Sequence, residues 1–144
     1  MILTVSANPA VDKTAAVSRL IPGQVMRLRD VAVYAGGKGV NVSRVLSQYN
    51  AEVTAAGFCG GASGEFIINT LKECGVRTEF IKTSGNTRTN LNILSDDGYV
   101  TEILEPGPDI LNREEEAFIR SYDRLVEGAE VIVISGSLPE GLCN

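Results

Sequence analysis

The chain has 144 residues, of which 44% are hydrophobic, and a formal net charge of −5. This size and composition are typical of one globular domain with a buried core, and the absence of a long basic run argues against nucleic acid as a partner. There are no 18 consecutive apolar residues and no basic stretch at the N-terminus, so we expect a cytoplasmic protein with no membrane contact.

The cysteine and histidine content limits the kinds of site and reaction that the chain can support. Cys59, Cys74 and Cys143 are odd in number and show no C-x-x-C spacing, which argues against a disulfide framework or a zinc site and predicts reduced thiols. Histidine is absent, so any acid–base step would fall to a carboxylate.

The first part of the chain alternates strands and helices. Its predicted strands are 2–6, 11–17, 27–34 and 53–58. Its predicted helices are 40–49, with Val42, Val45 and Leu46 on one face, and 65–74, with Phe66, Ile67, Thr70 and Leu71 facing inward. A glycine turn at 60–64 separates the last strand from the second helix. The alternation predicts a parallel sheet with helices on its faces.

The second part departs from this alternation. Predicted strands at 79–82, 87–94 and 99–104 follow one another, and Asp96-Asp97-Gly98 joins the last two as a hairpin, which indicates a small extra sheet. Asn112 is predicted to cap a helix over 113–127. A final apolar strand over 129–135 is expected to be buried with neighbours on both edges, so we expect the fold to continue beyond Asn144.

The run from Ala35 to Ser43 is the strongest candidate site. Gly36 and Gly37 allow close approach of backbone N–H groups, Lys38 supplies a charge, and Asn41 follows as the predicted helix begins. This pattern favours a phosphorylated or hydroxyl-rich small molecule. It lacks the spacing of a P-loop, and no G-x-G-x-x-G dinucleotide motif is present.

Four separated motifs carry a resemblance to a known family. They are Asn8-Pro9-Ala10-Val11-Asp12, the run from Ala35 to Ser43, Thr87-Arg88-Thr89-Asn90 and Ser135-Gly136-Ser137-Leu138-Pro139. In order and spacing they resemble the PfkB (ribokinase-like) carbohydrate kinases, in particular the 1-phosphofructokinase and tagatose-6-phosphate kinase branch. The resemblance covers the whole chain, as the N-terminal part of such a kinase.

The resemblance implies a fold and an activity. The fold is a doubly wound, mainly parallel α/β sheet with helices on both faces and a small β lid, and the lid strands are those near 11–17, 27–34, 79–82, 87–94 and 99–104. The activity is transfer of the ATP γ-phosphoryl group to a hydroxyl of fructose 1-phosphate or tagatose 6-phosphate. A homodimer formed through the lid is also implied.

The resemblance also implies roles for individual residues. The substrate-binding set is Asp12, Gly36, Gly37, Lys38, Asn41, Arg88, Asn90, Gly136 and Ser137, with Arg27 as a weaker phosphate-binding candidate. Arg88 and Lys38 would grip the phosphate already on the substrate, while Asp12 would accept hydrogen bonds from sugar hydroxyls. Asp12 as a turn cap, and Arg27 and Asn92 as solvated surface residues, are the structural alternatives.

No catalytic residue is implied within the chain. In the family the catalytic aspartate, the ATP site and the acidic motif that positions Mg²⁺ belong to the C-terminal half, so we expect little or no kinase activity from this segment. Three alternatives remain open: a kinase acting on fructose 6-phosphate, a non-catalytic sugar-phosphate-binding module, and a dinucleotide-dependent oxidoreductase, which the missing fingerprint disfavours.

Overall fold

A computed structural model describes residues 1–142 and divides them into two four-stranded sheets. The strands are β1 (Ile2–Ser6), β2 (Ala10–Val17), β3 (Arg29–Gly36), β4 (Val53–Cys59), β5 (Arg77–Lys82), β6 (Arg88–Ser95), β7 (Val100–Leu104) and β8 (Val131–Ile134). The helices are α1 (Lys38–Gln48), α2 (Gly61–Glu73) and α3 (Asn112–Val126). Cys143, predicted to be a reduced thiol, lies outside the described residues.

The main sheet is parallel and has the order β5-β4-β1-β8. One face is covered by α1 and α2, whose Val40, Ile67 and Leu71 belong to a core cluster with Val53 and Ala55 of β4. On the other face, Leu125 of α3 clusters with buried residues of β1 and β4. Helices therefore cover both faces, as the alternation of elements predicts.

The second sheet, which we call the lid, has the order β3-β2-β6-β7. β2 pairs antiparallel with β3 and parallel with β6, and β6 pairs antiparallel with β7. The β6–β7 hairpin turns at the predicted position, where Gly98 has a φ of +89°. Because β2 and β6 lie side by side at its centre, the lid joins segments that are far apart in the sequence.

One strand that was predicted for the lid belongs to the main sheet instead. The segment near 79–82 forms β5, which pairs in parallel with β4 at the edge of the main sheet. The connection through α2 explains this placement, because a strand–helix–strand unit returns its second strand parallel to the first.

The helices begin earlier than predicted, and their predicted faces are only partly correct. The segment 60–64 is not a turn, since α2 starts at Gly61, and a Cβ on Gly64 would approach backbone carbon of Cys59 to 2.9 Å. Glycine therefore lets the first turn of α2 lie directly on β4. In α2 the inward assignment is confirmed for Ile67 and Leu71, which are fully buried, and wrong for Phe66, which is 38% exposed. On the predicted apolar face of α1, Leu46 packs against the core, whereas Val45 is 52% exposed.

Two other local predictions need correction. Leu111, not Asn112, precedes the first turn of α3, and its backbone N–H donates to Oε2 of Glu114 at 3.1 Å. The predicted buried strand β8 is mostly exposed, with Ile134 at 68%, because among residues 1–142 it pairs only with β1.

No helix among residues 1–142 is long and apolar enough to cross a membrane.

Candidate functional site

A cavity of about 430 Å³ lies where the lid meets the main sheet. Its lining comes from the β1–β2 turn, the start of α1, three lid strands and the turn after β8. The residues are Asn8, Asp12, Gly37, Lys38, Asn41, Arg88, Asn90, Asn92, Glu102, Leu104, Gly136 and Ser137. Four sequence-distant segments thus converge on one concave, polar surface, which is typical of a small-molecule site.

Eight of the predicted site residues line this cavity: Asp12, Gly37, Lys38, Asn41, Arg88, Asn90, Gly136 and Ser137. Gly36 is not in the lining but lies against Asp12, because a Cβ at that position would overlap the Asp12 carboxylate. Arg27 is absent from the lining and lies exposed in the loop between β2 and β3. The structure therefore gives no support to Arg27 as a phosphate contact within one chain.

Gly37 makes the entry from the lid into α1. It is the N-cap of α1 with a φ of +104°, a conformation that favours glycine, and a Cβ there would lie 3.0 Å from Cα of Pro9. No side chain of the described chain caps α1. Its first backbone N–H groups are therefore available to an anion beside Lys38, where the helix dipole adds positive potential.

Asp12 and Asn90 lie side by side on the lid face that lines the cavity. They are register partners on β2 and β6, and Nδ2 of Asn90 donates to Oδ1 of Asp12 at 2.8 Å. Oδ1 of Asn90 is buried and has no protein partner among the described residues. Since buried polar atoms are nearly always hydrogen-bonded, this atom points to a donor supplied from the cavity.

Arg88 of the lid donates hydrogen bonds to the turns that follow β1 and β8 of the main sheet. Its Nη2 donates to the backbone oxygen of Asn8 at 3.1 Å and to Oγ of Ser137 at 3.4 Å, while Nη1 donates to the backbone oxygen of Glu105 at 3.1 Å. The guanidinium is therefore oriented by three segments before any ligand binds.

Asn8 is a site residue that sequence reasoning missed, although it belongs to one of the quoted motifs. Its Nδ2 donates to the backbone oxygen of Pro106 at 2.9 Å and lies 3.4 Å from Oγ of Ser137. Its Oδ1 is buried without a partner in the described chain. The Asn-Pro pair reads as an ordinary turn in the sequence, so only the contacts reveal its position between the lid and the turn after β8.

Three further cavity residues were not predicted as ligand contacts. Asn92 was read as solvated, whereas Glu102 and Leu104 were not assigned any role. The alternation of β6 places Asn92 on the same face as Arg88 and Asn90, and that signal was present in the sequence. Glu102 and Leu104 join this face only through the register of β7 with β6.

Neither buried ionisable group with a shifted pKa lies in the cavity. Burial raises the pKa of the Cys59 thiol to about 12. Burial by itself would raise the pKa of Glu114, but hydrogen bonds from Ser84 and Leu111 and the charge of Arg113 lower it overall. Among the described residues, no group of three His, Cys, Asp or Glu side chains is arranged to hold a metal ion.

The sequence matches the profile of the pfkB family carbohydrate kinases over residues 5–144. The fold is similar to a possible 1-phosphofructokinase from Thermotoga maritima, with a TM-score of 0.90 and 33% identity over 99% of this chain and 47% of that chain. It is also similar to phosphofructokinase-2 from Escherichia coli in complex with fructose-6-phosphate, with a TM-score of 0.85 and 27% identity over 99% of this chain and 47% of that chain. The tetrameric inhibited form of the Escherichia coli protein gives a TM-score of 0.85 and 28% identity over 99% of this chain and 47% of that chain. The chain thus spans about half the length of these structures.

Proposed function

The chain belongs to the pfkB family of carbohydrate kinases, and on that premise we propose that it forms the phosphosugar-binding part of a kinase. The reaction would transfer the γ-phosphoryl group of ATP to a hydroxyl of a ketohexose phosphate, giving a ketohexose bisphosphate. Fructose 1-phosphate and tagatose 6-phosphate are the proposed acceptors, and fructose 6-phosphate is the alternative.

One observation carries the proposal: the cavity combines groups for a phosphate with groups for hydroxyls. Lys38 and Arg88 supply two positive charges beside the uncapped start of α1, whereas Asp12 offers a carboxylate held by Asn90. A dianionic phosphate matches the first set, and sugar hydroxyls match the second. The volume of about 430 Å³ falls in the usual range for small-molecule sites.

The residues of this chain bind and orient the acceptor. Arg88 would meet the phosphate with an orientation fixed by its backbone contacts, and Asp12 would accept hydrogen bonds from sugar hydroxyls. Phosphoryl transfer depends strongly on such positioning. We assign no general base within residues 1–142, where no three His, Cys, Asp or Glu side chains are arranged to hold a metal ion.

ATP binding and proton removal are proposed to depend on the half of the kinases that this chain does not span. A non-catalytic sugar-phosphate-binding module is the second candidate, favoured by the same cavity without an assigned base. Both readings predict phosphosugar binding with little or no ADP release from this chain alone.

The test is a titration of the chain with fructose 1-phosphate, tagatose 6-phosphate and fructose 6-phosphate, with fructose and inorganic phosphate as controls. At least one phosphosugar should bind more tightly than either control, and Lys38→Gln should weaken it. Lys72→Gln is the matched control, because Lys72 is an exposed lysine in the last turn of α2. Failure of all three phosphosugars to bind would refute the proposal.

ADP release with MgATP and each phosphosugar tests the second part. Turnover at the rate of a complete kinase would contradict the assignment of the base to another part of the protein. No ADP release by this chain, together with turnover by a longer protein that includes it, would support that assignment.

We also propose a homodimer through the lid. The lid face opposite Asp12 exposes Val33 of β3 at 46% and Ile103 of β7 at 54%, and both strands are sheet edges. Sedimentation equilibrium should show a dimer that Val33→Glu disrupts, whereas a monomer at all accessible concentrations would refute it.

A further inference from the structure

The cavity carries a second carboxylate that the phosphosugar assignment does not use. Glu102 lies on β7 directly across from Asn92 of β6, and both side chains line the cavity. Glu102 is exposed, and no basic side chain of residues 1–142 forms an ion pair with it. Its charge is therefore free to act on whatever occupies that end of the cavity.

The positive charges gather at the opposite end. Arg88 begins β6 and pairs with Ala10, which in turn pairs with Gly36, two residues before Lys38. Arg88 also contacts Ser137, in the turn after β8 of the main sheet. Lys38 and Arg88 thus mark the end of the cavity nearest the main sheet, which we call the core end.

The strand geometry sets the distance between the two ends. Four residues along β6 separate Arg88 from Asn92, which corresponds to about 13 Å between their Cα atoms. Glu102 lies beside Asn92, so its carboxylate belongs to the lid end. Along β6 the two cations therefore lie at the core end, Asp12 lies level with Asn90 between the ends, and Glu102 lies at the lid end.

We propose that Glu102 contributes to specificity by favouring an uncharged, hydroxyl-bearing group over a second phosphate at the lid end. This inference rests on the proposed phosphosugar function. A phosphate held by Lys38 and Arg88 directs the rest of the sugar along β6, where the carboxylate accepts hydrogen bonds from hydroxyls. The same carboxylate repels a second phosphate at that end, so the bisphosphate product should bind less tightly than the monophosphate acceptor.

The test compares dissociation constants for fructose 1-phosphate and fructose 1,6-bisphosphate at fixed ionic strength. In Glu102→Gln the ratio of bisphosphate to monophosphate dissociation constants should fall about threefold, the size expected for one exposed charge interaction. In Glu102→Lys repulsion becomes attraction, and the ratio should fall about tenfold.

Glu127→Gln is the matched control, because it removes one negative charge from an exposed residue at the end of α3, outside the cavity lining. It should leave the ratio unchanged, which separates a local effect from the change in net charge. Circular dichroism of each variant would verify the fold.

Three outcomes are distinguishable. A lower ratio in both Glu102 variants, with an unchanged ratio in the control, supports the inference. Binding by the unaltered chain with the same ratio in all variants overturns this inference alone. Absence of binding by the unaltered chain overturns the proposed function, and this inference with it.

Discussion

Replacing Gly36 by alanine should weaken ligand binding far more than it weakens folding. A Cβ at this position would overlap the carboxylate of Asp12, which must then leave the place where Asn90 holds it at 2.8 Å. The φ of Gly36 is not in the left-handed region, so alanine adopts the backbone without strain. The perturbation is therefore confined to the Asp12 side chain.

The two expected magnitudes follow from these contacts. Losing the Asp12–Asn90 hydrogen bond should destabilise the fold by about 1–2 kcal/mol, partly offset by about 0.4–1 kcal/mol because alanine restricts the unfolded chain. Ligand binding should lose a hydrogen bond to a charged acceptor, about 1.5–3 kcal/mol, which corresponds to about a 10- to 150-fold rise in the dissociation constant.

The assays are urea unfolding and calorimetric titration with the tightest-binding phosphosugar. Gly128→Ala is the matched control, because a Cβ there meets no neighbour closer than Leu125 O at 4.0 Å. Asp12→Ala should lose about the same affinity as Gly36→Ala, and the double variant should lose little more, since both changes remove one interaction. Wild-type affinity in Gly36→Ala beside lost affinity in Asp12→Ala would refute the reasoning.

Three other predictions concern the buried polar groups. Glu114→Gln should destabilise the protein at neutral pH by about 1–3 kcal/mol. Because the folded-state pKa of Glu114 is lowered, this difference should persist above the unfolded pKa of about 4.3 and vanish as pH falls through the folded pKa. A pH-independent difference in urea unfolding would contradict the ionic role. At pH 8 iodoacetamide should modify exposed Cys74 and spare Cys59 until denaturant is added, because burial raises the Cys59 pKa to about 12; peptide mass spectrometry showing equal native labelling would count against this. Thr4→Val and Ser43→Ala should each destabilise by about 1–2 kcal/mol, because their buried hydroxyls lie 2.6 Å apart, and the double variant should lose less than the sum; strict additivity in urea unfolding would contradict their coupling.

Local patterns predicted the class of fold and most of its elements. Strand alternation and glycine positions gave the strands near β1, β2, β4 and the β6–β7 hairpin to within two residues. They did not place β5, because a short apolar strand carries no signal for the sheet it joins. They indicated the buried Ile67 and Leu71 of α2 but missed Gly39, Ser43 and Gly64, because close helix–sheet contact depends on small residues as well as on large apolar ones.

The residues of the candidate site were also predicted only in part. Residues that belong to compact motifs, such as Lys38, Asn41 and Arg88, were predicted and line the cavity. Asn8 was seen only as part of a turn, and Arg27 was proposed on its charge alone although it lies outside the lining. Charge and spacing identify residue types that suit a ligand, but they do not show which side chains converge.

The sequence by itself determined the elements and the chemical character of the site, because helix and strand periodicity, glycine conformation and charge are local properties. Only the tertiary structure decided that β2 lies beside β6, that β7 brings Glu102 opposite Asn92, and that Arg88 reaches Ser137. These contacts join segments distant in the chain, and their register is fixed by strand pairing and core burial rather than by any short motif. The order of charges along the cavity, with Lys38 and Arg88 at the core end and Glu102 at the lid end, therefore arises from the fold.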